Sequence, residues 1–139
     1  MKKLAALSLV LVTLIGCSAQ KSKGGDNAYT ILKQDAYGGR EVACNETITS
    51  QAQLSKMYSE LNLEDVPAID FKKNNVVALF LGQKSTGGYS ISIDSLIIKN
   101  NTTVIKVLKS PPSGDIVSMA LTAPYCIASI PKTDKVLFQ

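Results

Sequence analysis

Any chemistry in this chain has to be done without histidine, because none of its 139 residues is one. That removes the usual general base and the usual zinc ligand, and with them every nucleophile–His arrangement. A Ser–Lys pair exists at Lys84-Ser85, but neighbours on extended backbone point to opposite sides and cannot act together locally. Carboxylates are scattered along the chain, and Glu64-Asp65 reads as a solvated acidic loop. Gly87-Gly88 does not stand between a strand and a helix, so it is not a phosphate-cradling loop. No enzyme activity, cofactor or metal site is expected from this inventory.

The cysteines are more informative. Cys17 follows Leu14-Ile15-Gly16 at the end of an apolar run over residues 4–15, itself preceded by Lys2-Lys3. A run of that length is too short for a bilayer, which takes about 20 apolar residues, but suits the core of a secretory signal. Branched residues, a small residue and then cysteine resemble a bacterial lipobox. The expectation is a signal peptide over residues 1–16, removed in front of a diacylglyceryl-modified Cys17. Loss of Lys2 and Lys3 leaves thirteen basic against eleven acidic side chains, so the sequence pI near 9 does not argue for nucleic acid. The remaining pair, Cys44 and Cys126, sits in a chain expected outside the cytoplasm, where an even count reads as a disulfide or as two buried thiols. The bond would close a loop of about 80 residues, worth about 4 kcal/mol in the chain-entropy account.

Residues 17–27 read as the lipidated cysteine and a polar Ser/Lys/Gly tether, and residues 28–139 as one folded domain. Strands are expected over residues 28–34, 41–48, 75–82, 89–98, 102–109, 116–123, 125–130 and 136–138. Residues 76–81 are apolar at every position, the mark of a strand covered on both faces. Ser50 with Gln53 opens a helix whose Leu54, Met57, Tyr58 and Leu61 share one face. The expected class is mainly β (α+β): an antiparallel sheet or sandwich of about seven to eight strands with one helix packed on it.

Between two of those strands stands Lys84-Ser85-Thr86-Gly87-Gly88-Tyr89. Gly87 and Gly88 can take positive φ without penalty, which suits a hairpin turn. The loop is longer than a minimal turn, and would set Lys84, Ser85 and Thr86 on an exposed tip whose bare glycine backbone lets a partner approach. Tyr89 would stand at its base, in phase with Ile91 and Ile93.

The run from Val76 through Thr86-Gly87-Gly88-Tyr89 to Ile91 resembles the signature of the PrcB C-terminal domain family. The preceding helix, Pro67-Ala68-Ile69-Asp70-Phe71 and the later Ala123-Pro124-Tyr125 with Lys132 fit its layout, so the resemblance covers residues 47–138. It implies a non-catalytic, lipid-anchored envelope protein that assists a protein partner, a surface protease complex. Thr86-Gly87-Gly88-Tyr89 is also similar to the first inhibitory loop of chagasin-type cysteine-protease inhibitors. Those carry a further Arg-Pro-Trp element; this chain has no tryptophan, and its one arginine is Arg40.

Overall fold

The computed structural model describes residues 29–139. The signal peptide, the lipidation site Cys17 and the tether expected from the sequence lie outside the described residues.

Among the described residues seven strands form two sheets. The first holds β1 (Thr30–Asp35), β6 (Tyr125–Pro131), β3 (Asn74–Phe80) and β2 (Cys44–Ile48), in that order and all antiparallel. The second holds β4 (Ser90–Lys99), β5 (Thr102–Ser110) and β7 (Lys135–Phe138), with β4–β5 antiparallel and β5–β7 parallel. The helix α1 (Gln51–Glu60) packs on the outer face of the first sheet. The architecture is therefore helix, sheet, sheet, with two cores.

The double apolarity of β3 follows from that layering. Val76, Ala78 and Phe80 face α1 with Leu54, Met57 and Tyr58. Val77 and Leu79 face the second sheet with Ile91, Ile93 and Ile105. Alternate side chains of one strand serve opposite faces, so every residue from Asn75 to Phe80 is buried. The helix starts where expected: Ser50 Oγ accepts from Gln53 N at 3.3 Å, and Gln53 Oε1 accepts from Thr49 N at 3.0 Å, supplying partners at a helix terminus that otherwise lacks them. On the side where β1 faces β4, Tyr29 Oη donates to Ile93 O at 3.1 Å and Gln34 Nε2 to Ile91 O at 3.0 Å. Those contacts satisfy carbonyls on the outer edge of β4, an edge that would otherwise stay open to pairing.

Three expectations are corrected. Residues 116–123 are not a strand; only Thr122 forms an isolated bridge, with Lys84. β6 is already flanked by β1 and β3, and the chain here leaves β5 through Pro111-Pro112 to bond with the 81–89 link, Gly87 N to Ser118 O and Thr122 N to Lys84 O. The link from β3 to β4 is not a hairpin, because it carries the chain from one sheet to the other. Finally, Cys44 and Cys126 are both free. Cys44 stands opposite Phe80 on β3, which in turn stands opposite Tyr125, so Cys44 lies on the helix side. Cys126, one residue further, points into the core between the sheets. A sheet separates the two thiols, beyond the reach of a disulfide.

Candidate functional site

Strand directions sort the connections into two ends. The links over residues 36–43 (β1–β2), 81–89 (β3–β4) and 111–124 (β5–β6) meet at one end. Backbone bonds stitch them together. Lys84 N donates to Thr122 O at 2.8 Å and Thr122 N to Lys84 O at 2.9 Å. Gly87 N donates to Ser118 O, Gln83 N to Glu41 O and Gly39 N to Ala123 O, each at 2.9 Å. Thr122 Oγ1 closes onto Thr86 O at 2.8 Å. The three loops form one surface with a shared hydrogen-bond scaffold.

Within it, Lys84 and Thr86 are half-buried and Ser85 is exposed. The Lys84 ammonium lies 5.6 Å from the centre of the Tyr89 ring, within cation–π range. Tyr89 packs against the inter-sheet core, the role its phase with Ile91 suggested. The glycines differ from expectation. Only Gly88 has positive φ, at +88°, and a Cβ there would stand 2.7 Å from Pro112 Cβ. Gly87 is buried, and a Cβ on it would collide with Ser118 Oγ. The chain's own 111–122 segment thus packs against both glycines, covering Gly87 and leaving Gly88 exposed. Lys84 to Tyr89 is a buttress more than a tip.

The exposed tip belongs to the segment misread as a strand. Ile116 is 96% exposed and Met119 87%, with Leu121 also exposed beside them. Val42, 75% exposed, and Tyr37 stand on the first loop of the same end. Alternating apolar residues signalled a strand; the Pro-Pro and Gly114 just upstream were the signal for a long surface loop.

Arg40 organises a cluster at this end that its place in the sequence does not announce. Its guanidinium lies 4.6 Å from the centre of the Phe80 ring, pairs with Glu46, and reaches Glu60 Oε2 at 3.3 Å and Cys44 Sγ at 3.5 Å. Its hydrogen bond to the Glu46 carboxylate holds its pKa up. The group ties the first loop to β2, β3 and α1, beside a depression of about 330 Å³ lined by Arg40, Glu46, Met57 and Glu60. With both glutamates on it, Arg40 is a clamp and offers no free cation. Among the described residues no group of three or more metal-ligating side chains comes together.

Residues 75–131 match the model of the family described as PrcB C-terminal. That segment of the chain belongs to this family. The match begins in β3 and ends with β6, so the PrcB C-terminal segment includes the inter-sheet core and two of the three clustered loops. No curated protein matches the chain, and no solved structure does.

Proposed function

We propose that this chain is a non-catalytic lipoprotein of the bacterial cell envelope that assists a protein partner, a surface protease complex, through its three-loop end. The observation that carries the reading is the position of the exposed apolar side chains. Ile116, Met119, Leu121, Val42 and Tyr37 gather at one end, while the N-terminal strand enters from the other, Thr30 standing opposite Ser129 and Asp35 opposite Tyr125. A lipid on Cys17 would tether the entry end and leave the apolar loops facing outward. Contiguous apolar surface on a soluble domain is the usual mark of a protein contact, and loops held by a rigid scaffold commonly carry one.

A protease inhibitor of the chagasin type is the second reading, favoured by the place of Thr86-Gly87-Gly88-Tyr89 between two other loops at that same end. Against it, Arg40 is held by Glu46 and Glu60.

Crosslinking and pull-down of the anchored protein tests the proposal. Ile116→Ser with Met119→Ser changes fully exposed positions, where stability moves by less than about 0.5 kcal/mol; this variant is expected to keep its melting temperature and lose partner capture. Capture equal to wild type overturns the loop-end reading. Suppression of a captured protease by excess chain would favour the inhibitor over the accessory role.

A further inference from the structure

The end opposite the loops has its own chemical character. It is built from the turn before β3, the β4–β5 turn and the β6–β7 turn, joined by Lys132 N to Lys73 O at 2.9 Å and Asp134 N to Asn101 O at 3.1 Å. Lys72, Lys73, Lys99, Lys132 and Lys135 all stand there, and all are exposed. The acids beside them are Asp70 and Asp134. Asp70 Oδ1 accepts from the backbone N of Lys72 at 3.0 Å. None of the ion pairs among the described residues involves any of these five lysines. Lys132 alone is partly engaged, its Nζ donating to Phe71 O at 2.8 Å.

The loop end lacks this excess. There Lys84 and Lys109 are set against Asp35, Glu41 and Asp115, and Arg40 is neutralised by its glutamates. The domain's positive charge is therefore concentrated at the end from which the N-terminal segment departs.

We propose that this lysine end is a membrane-docking face that lies against anionic lipid headgroups. The inference rests on the reading of Cys17 as the anchor, because an N-terminal anchor brings this end to a bilayer and holds it there. The chain between Cys17 and β1 amounts to about a dozen residues, with a relaxed span of about 20 Å. Screening confines surface attraction to about 8 Å at physiological salt, so a domain on that leash samples contact continually. Each basic side chain that reaches an anionic surface adds to the attraction. Five on one end and few on the other orient the domain, with the apolar loops outward.

The test uses the full acylated chain reconstituted in vesicles of phosphatidylcholine alone or mixed with phosphatidylglycerol, with lysine acetylation read by mass spectrometry. Lys72, Lys73, Lys99 and Lys135 are expected to label at least about fivefold more slowly on the anionic vesicles, with Lys84 unchanged and the protection lost in high salt. Equal labelling on the two vesicle types overturns the proposal while leaving the anchor intact. The same spectra report the acyl group on Cys17, so failure of the anchor reading appears separately. In that event sedimentation of the Cys17→Ser chain with anionic vesicles decides. Replacing Lys72, Lys73, Lys99 and Lys135 by Gln, with Lys132 kept for its bond to Phe71, should lower binding at least about tenfold. A variant that binds like its parent refutes the lysine face.

Discussion

A cysteine one position from Tyr125 and a cysteine opposite Phe80 differ by one step along a strand, and that step decides their chemistry. Cys126 faces the inter-sheet core and is fully buried; burial pushes its thiol from 9.0 up to about 11. Cys44 is half-buried on the helix face and accepts from Arg40. Both should therefore titrate as free thiols when the chain is unfolded without reductant, and Cys126 should resist labelling while folded. Loss of both thiol signals would restore the disulfide. The same burial has a pH consequence. The folded state holds the Cys126 proton where the unfolded state has released it, so stability from this group is complete below pH 9 and declines as pH rises toward about 11. The loss is at most roughly 3 kcal/mol. Burial also raises Tyr58 and Tyr125, so their ionisation adds to the decline at higher pH. Denaturant midpoints at pH 8 and 10, compared with Cys126→Ala, isolate the thiol: the variant should show the smaller drop between the two.

At the scale of elements, the strands that bury one or both faces were legible because period and burial coincide: β3 from its unbroken apolar run, β4 from Ser/Ile alternation, α1 from Ser50 and its Leu54–Met57–Tyr58 stripe. Sheet membership was not legible. A connector the length of residues 81–89 can close a hairpin or cross between layers, and nothing local distinguishes the two. Residues 116–123 alternate like a strand, yet their outcome depends on β6 being flanked on both sides and on the bonds that Ser118 and Thr122 make to the 81–89 link, facts about the rest of the chain. The misreading of the glycines has the same origin, since what fills the space beside Gly87 comes from Ser118. This separates the two glycines experimentally. Gly88→Val places a β-branched residue at φ +88° against Pro112. It should cost at least about 1–3 kcal/mol. Gly87→Ala meets only the hydroxyl of Ser118, which can rotate, and Ser118→Ala in the same chain leaves Cβ atoms at ordinary contact, 3.6 Å apart. The single change should lower the melting temperature slightly and the pair should recover it. A Gly88→Val protein as stable as wild type would show that the positive φ is not required.

For the whole molecule, the two-ended distribution of surface chemistry matters more than any one residue. Antiparallel β1 and β6 fix which end receives the N-terminal segment, and the three loop crossings fix which end carries Ile116 and Met119. The proposed anchoring and binding would thereby fall on opposite ends of a domain whose two cores, one under α1 and one between the sheets, are complete without either. The functions should then be separable by one substitution outside the described domain. Cys17→Ser is expected to abolish acylation and shift the chain from the membrane fraction. The melting temperature of the domain should be unchanged, and a solubilised partner should be captured as well as by wild type. Mass spectrometry, fractionation and pull-down check the three parts. A Cys17→Ser chain that still carries a diacylglyceryl group, or a wild-type chain whose mature N-terminus lies elsewhere and bears no lipid, would refute the anchor. Loss of capture in solution would mean that the partner also reads the N-terminal segment, and that the two ends are not independent.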